Sequence, residues 1–201
     1  ARLYHTEYRL DEANTPPTQR QPERTLGGAS LDAGLVLERP LFDGDWRQTL
    51  EPRLFFNKVE YEDQAPLPDF DAGELTFSWN RLFRENRFSG LDRIGDEEKL
   101  AVGVTTRFID SATGRERLRL RAGQGFFREP RRVTLDGNID RSEETPAVAD
   151  AALRLNRDWY ARGEVQWNTD LNRHRRSSAG IDYRGGPRRH LHAGYIERED
   201  T

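Results

Sequence analysis

Residues 99–110 read KLAVGVTTRFID. Leu100, Val102, Val104, Thr106 and Phe108 take every second place, and Ala101, Gly103, Thr105 and Arg107 fill the places between. Period two is the side-chain spacing of a β-strand, whose successive residues point to opposite faces. The run is also about twice the usual strand length of roughly five to six residues.

The same alternation recurs on both sides of this run. In RERLRLRAGQGF (115–126), Leu118, Leu120, Ala122 and Phe126 oppose Arg117, Arg119, Arg121 and Gly123. In DWYARGEVQWN (158–168), Trp159, Ala161, Gly163, Val165 and Trp167 oppose Arg162, Glu164 and Gln166. SLDAGLVLE (30–38) and the 178–183 region repeat the pattern. Nine strands are expected, over about 1–10, 29–39, 46–60, 98–110, 115–128, 146–156, 158–168, 173–184 and 188–198. Strands of about 9–11 residues are what a tilted, bilayer-crossing barrel needs. The fold class that follows is all-β: an antiparallel, up-and-down transmembrane β-barrel segment filling 1–201, incomplete as a barrel.

The connections carry a second signal. They alternate between long (11–28, 61–97, 129–145) and short (40–45, 111–114, 157), with 169–172 and 185–187 also short. Outer-membrane barrels have tight turns at one rim and longer loops at the other. Within the 61–97 loop, Leu75, Trp79, Leu82 and Phe83 fall on one helical stripe. Asp71 precedes Glu74 in a capping-box-like pair. A short helix over 74–83 is expected there, with a tenth strand as the other reading. Trp159 and Trp167, eight residues apart on one face, would span about 26 Å of strand. After tilt that approaches the height of an outer-membrane apolar band with aromatic girdles.

Composition narrows the class. Hydrophobic residues make up 34% and charged residues 33%, and the mean hydropathy is -0.93. That is polar for one central core, yet too patterned for a disordered chain. The net charge of -3 excludes nucleic acid as the obvious partner. The chain has no cysteine and no methionine, even at position 1, so it reads as a segment of a longer protein. Lys58 and Lys99 are the only lysines among the cations. Arginine suits bidentate pairing with carboxylates or phosphates.

The residues yield no catalytic constellation, cofactor fingerprint or metal site. His190 and His192 share a strand face but lack a further ligand at a diagnostic spacing. DGNID (136–140) has Arg141 where a calcium loop needs glycine, so it reads as a polar hairpin loop. The charged strand positions read as the wall of a wetted lumen: Arg47, Glu51 and Arg53 on one strand, Arg107, then Arg117, Arg119 and Arg121, then Arg162 and Glu164. The plainer alternative is a soluble or surface-exposed β-rich binding module.

TLEPRLFF (49–56), FDAGELTFSWNRLFRENRFSGLDRIGDEEKLAVGVTTRFID (70–110), LRAGQGFFRE (120–129) and NRDWYARGEVQWNTDLNRHRRSSAGIDYR (156–184) together resemble the barrel domain of the LptD family. This family assembles lipopolysaccharide at Gram-negative outer membranes. The resemblance implies a non-enzymatic transport role, in contact with outer-membrane lipids and with lipopolysaccharide. It also implies an LptE-like lipoprotein plug, and periplasmic lipopolysaccharide-bridge proteins reached through an N-terminal jelly roll outside this segment. It implies a barrel far larger than nine strands, about 26. Family-like loops fold back toward the barrel interior and touch the plug. On that basis Phe83, Arg84, Glu85, Arg87, Phe88, Leu91, Asp92, Arg93 and Ile94 are the candidate plug-contacting residues, with Gly90 and Gly95 allowing tight turns.

Overall fold

A computed structural model describes residues 1–10, 21–169, 172–186 and 189–199. The chain is all-β. Its strands are β1 (Arg2–Glu7), β2 (Glu23–Gly34), β3 (Leu37–Leu41), β4 (Trp46–Val59), β5 (Glu97–Asp110), β6 (Arg115–Phe127), β7 (Ala147–Arg154), β8 (Trp159–Asn168), β9 (Arg173–Arg184) and β10 (His190–Arg198). They form one sheet in the order β1-β2-β4-β5-β6-β7-β8-β9-β10, with β3 pairing on β4. The paired strands run antiparallel. Apart from β3, each strand pairs with the next in sequence, as an up-and-down array requires. The order is open, with β1 and β10 at its ends.

Ten strands stand where nine were expected, and the physical reason is local. The expected strand 29–39 is two strands, interrupted at Leu35 and Val36. Pro52 of β4 lies opposite the break and has no N–H to give a neighbouring ladder. Its carbonyl still accepts the Leu35 amide at 3.1 Å, and pairing resumes at Leu37↔Leu50. β3 carries Pro40 in its middle, a residue tolerated in sheets at edges. β2 also starts earlier than expected, at Glu23, so the end of the expected 11–28 loop is strand. Residues 11–20 of that loop lie outside the described residues.

The helix is shorter than its periodicity suggested. α1 is one turn, Trp79–Leu82, with Ser78 rather than Asp71 at the N-cap position. Residues before it are extended: Glu74 bridges Phe88, and the Leu75 amide donates to the Arg87 carbonyl at 3.2 Å. Trp79, Leu82 and Phe83 do share a buried stripe. Leu75 belongs to the small antiparallel bridge, whose backbone bonds compete with further helical turns.

The chain packs as two compact units. The first comprises Ala1–Asp32, Phe55–Leu100 and Phe126–Glu144, and the second Ala33–Leu54, Ala101–Gly125 and Thr145–Thr201. In the first unit, Leu26, Val59 and Ile94 form a dry cluster with Tyr4 packed against it. Phe83 meets Phe55 and Trp79 edge-on at 6.3 and 5.1 Å. In the second unit the strands form bare ladders with one polar and one apolar face.

Candidate functional site

Register decides what each face of the second unit carries. Residues paired across antiparallel strands lie on the same face. One set of rows is apolar. Leu118, Leu153, Ala161, Ile181 and Ala193 follow one another across β6–β10, and Leu120, Ala151, Gly163, Ala179 and Tyr195 form the next row. These side chains remain uncovered: Leu120 is 39% exposed, Ile181 37% and Tyr195 63%. Small residues in the rows keep the surface smooth. A contiguous apolar face of this extent marks a surface that meets lipid or another apolar partner.

The alternate positions are charged and paired. Arg121 Nε reaches both oxygens of Asp150, at 2.9 and 2.8 Å. Arg107 bridges Glu51 on β4 at 2.8 Å and Glu116 on β6 at 2.6 Å. Arg117 lies 3.4 Å from Asp110, Arg119 3.8 Å from Glu116, and Arg162 3.4 Å from Asp182. Arg47 pairs with Glu38 of β3 at 3.1 Å. Glu164 accepts a bond from Gln166 at 2.8 Å, and Arg53 is half-buried on β4. Such solvent-reached pairs contribute about 0–1 kcal/mol each. Their consequence is hydration of one face rather than a large gain in stability.

The first unit holds the other candidate residues, in the loop between β4 and β5. Along β4 the odd positions run Arg47, Thr49, Glu51, Arg53, Phe55, Asn57 and Val59, and the last three are buried. The loop covers them. Asn57 Nδ2 donates to the Glu85 carbonyl at 3.0 Å and to Glu97 at 2.7 Å. Lys99 Nζ donates to the Arg84 carbonyl at 2.8 Å and pairs with Glu97. Arg24, fully buried, donates to the carbonyls of Leu91 and Asp92 and to Gln64 and Thr6. Within this unit the loop lies over the face of β4 that carries Phe55, Asn57 and Val59.

The nine candidate loop residues divide by environment. Phe83, Phe88 and Ile94 are buried within the unit, the last two at 2% and 1% exposure. Arg87 donates to the carbonyls of Asp96 and Val133. Arg93 holds the carbonyls of Leu67 and Pro68 at 2.9 and 3.0 Å, and Glu85 pairs with Arg2. Asp92 accepts the amides of Phe70 and Asp71 and the Tyr8 hydroxyl. Burial pushes the Asp92 carboxyl up, but these donors outweigh it and hold it below the usual carboxylate range. Leu91, 67% exposed, and the exposed Arg84 are left facing outward. Gly90 makes the expected turn: its φ is +67°, and a Cβ there would run into the Asp71 carboxylate. Gly95 serves close approach instead, because the Arg87 side chain passes over it.

Several anchors escaped the sequence reading. Arg24, Asn57, Asp96 and Lys99 are buried polar residues inside strand-like runs or beside them. Asp96 ties the loop to the next one, accepting the amides of Arg132 and Val133 at 2.8–3.0 Å. Arg131 pairs with Asp140 at 2.7 Å and stacks on Phe127. Burial raises the Asp140 carboxyl, and the Arg131 guanidinium more than reverses this. The DGNID segment is a hairpin loop of this kind, with Asp136 accepting from Asn138. His190 and His192 both approach Asp182, at 3.6 and 3.1 Å. Among the described residues no cluster of metal ligands occurs, and no helix is long and apolar enough to cross a membrane.

Comparison with known families matches residues 1–201 to LptD, described as LPS transport system D. The LPS-assembly protein LptD of Alcanivorax borkumensis is 54% identical over 187 residues, which cover 91% of this chain and 24% of that protein. Proteins of the same name from Ectopseudomonas mendocina and Thiobacillus denitrificans are 46% and 40% identical, over 89% and 96% of this chain. The chain spans about a fifth to a quarter of the length of these relatives.

Proposed function

This chain belongs to the LptD family, and on that premise we propose that it is a wall segment of an outer-membrane β-barrel that passes lipopolysaccharide to the outer leaflet. The work is transport and membrane assembly, without catalysis, in the outer membrane of a Gram-negative cell. The observation that carries the reading is the division of faces in the second unit. Its apolar rows have no cover, while the opposite positions hold paired arginines and carboxylates. Hydrocarbon suits the first face and an enclosed aqueous passage the second.

The test is a depth measurement on the full-length protein in a bilayer. Spin labels at Leu120, Val165 and Ile181 should be quenched by lipid-soluble oxygen and shielded from an aqueous paramagnet. Labels at Arg121 and Glu164 should show the reverse. Equal aqueous access for both sets would remove the membrane reading.

The β4–β5 loop has a further role in this reading. It folds over Phe55, Asn57 and Val59 of β4 and offers Leu91 and Arg84 outward to an LptE-like lipoprotein plug. Phe83, Phe88 and Ile94 hold the loop in shape beneath that surface. Leu91→Asp should reduce co-purification of the plug with the full-length protein, and unchanged recovery would exclude Leu91 from the contact. Periplasmic bridge proteins would deliver lipopolysaccharide through parts of the parent outside this chain.

A further inference from the structure

Ion pairing on the polar face of the second unit is uneven. Near the tight turns at 111–114 and 155–158, six arginines converge on one cavity of about 330 Å³: Arg115, Arg117, Arg119, Arg154, Arg162 and Arg184. Glu116 and Asp182 are the only carboxylates in its lining, so the lining carries a net charge of +4 (six minus two). Both are already engaged, Glu116 by Arg107 and Arg119 and Asp182 by Arg162 and His192. Among the described residues, the guanidinium groups of Arg115, Arg154 and Arg184 have no carboxylate partner.

The hollow has a steric cause. Register sets Arg119, Ala152 and Arg162 in one row, so one small residue stands between two long ones. The next row runs Arg154, Tyr160, Asp182 and His192. Arg154 lies over the Tyr160 ring at 4.3 Å and Arg184 at 5.5 Å, which holds two like charges near each other. Asp182, beside Tyr160 in the row, feels the Arg184 charge but is ion-paired with Arg162 and His192 instead. Arg119 Nε is buried and has no acceptor. A buried donor without a partner carries a desolvation cost that a bound acceptor relieves.

We infer that this arginine-lined cavity is a binding site for a phosphate or carboxylate group borne on a saccharide. Guanidinium forks match both anions in bidentate geometry. The volume is at the small end of the range for ligand sites, roughly 300–1,000 Å³, so it fits one charged sugar unit rather than a chain. The anion chemistry stands on the cavity alone. Assigning the anion to transported lipopolysaccharide rests on the function proposed above, in which an anionic saccharide moves along this face.

The experiment uses the full-length protein with its partner, carrying a photo-crosslinking phenylalanine analogue at Ala152. Lipopolysaccharide is the probe, intact or with its phosphates removed, and inorganic phosphate is the competitor. Intact lipopolysaccharide should crosslink, and the dephosphorylated form should do so about tenfold less, since charge-assisted bonds are the strong ones lost. Arg154→Gln with Arg184→Gln should reduce crosslinking by a similar factor, and the double Lys variant should recover part of it, because lysine keeps the charge without the fork. An unchanged barrel band shift on heating would show that the variants fold.

Equal crosslinking of both lipopolysaccharide forms, or no loss in the Gln variant, would overturn the site. Crosslinking to a polypeptide instead would also overturn it. If inorganic phosphate binds as tightly as the saccharide, the assignment to transported saccharide falls. Failure here with lipid-shielded labels at Leu120 and Val165 would leave the membrane reading intact. Water-exposed labels would remove that reading, while the anion site would still be measurable by phosphate binding.

Discussion

The two compact units of this chain use their apolar residues in opposite ways. In the first, Leu26, Val59, Phe83, Phe88 and Ile94 are buried beneath a long loop, as in any water-soluble protein. In the second, Leu120, Leu153, Val165 and Ile181 stand open on one face of the ladder. The strands are alike in length and alternation, so strand sequence alone does not account for the difference. A polypeptide cover is present in the first unit, over Phe55, Asn57 and Val59 of β4. The apolar face of the second has no such cover among the described residues, and under the proposed function lipid supplies it. The lesson is that a segment of low mean hydropathy can still be organised by burial, provided its two solvents are different.

The largest expected effect would break the first half of the comparison. Phe88→Ala removes a ring at 2% exposure, and truncations of this kind cost about 3–5 kcal/mol. Hydrogen exchange in the full-length protein should accelerate across 60–96, while amides of 101–125 keep their protection. Uniform protection in both regions would mean that the loop is not held by its own core. Val165→Arg attacks the other half. A guanidinium on the lipid face of a barrel costs about 2–4 kcal/mol near the midplane, so folding titrations into bilayers should show that loss, whereas Gln166→Arg on the polar side should cost less. Because Gln166 is itself buried, the cleaner polar-parity control is Ile196→Arg, an exposed position in the row of Glu164 and Ser178. Equal costs for it and Val165→Arg would mean that the two faces meet the same medium.

Two further changes sharpen the contrast. Asp96→Asn weakens the carboxylate that binds two backbone amides and Arg87, at an expected cost of about 1–3 kcal/mol. It should loosen both the 60–96 and 128–146 loops to protease together. Loosening of one alone would show that Asp96 does not couple them. The smallest effect is with pH. Because the folded Asp92 and Asp140 carboxyls lie below their ordinary values, their contribution is full above the unfolded range of about 4. It is lost as pH falls through the lowered folded values. Loop protection should therefore stay flat from pH 7 to about 5 and fall only below about 4. Asp92→Asn should flatten most of that acid limb, and an unaltered limb would assign it to other groups.

Alternation made most of the sheet legible. The strands from β4 onward begin and end within a few residues of where the two-residue period placed them. Arg119, Arg121, Arg162 and Glu164 lie on the face opposite the apolar rows, because a strand fixes parity residue by residue. The break at Leu35 and Val36 was hidden because its cause, Pro52, lies on the neighbouring strand. The helix came out as one turn because Leu75 is held by a backbone bond to Arg87, twelve residues away in sequence. No local period encodes that bond.

The amino-acid sequence by itself determined most of the strands and their two faces, because side-chain direction in an extended chain follows from position alone, and its long family-like runs carried the family. Only the tertiary structure decided which polar residues are anchors and which cations lack partners. It buried Arg24 and Asp96 in the first unit, and it gathered Arg119, Arg154, Arg162 and Arg184 from four strands around Ala152. Those outcomes depend on register between strands and on where a loop returns, and distances across strands are set by pairing rather than by sequence separation.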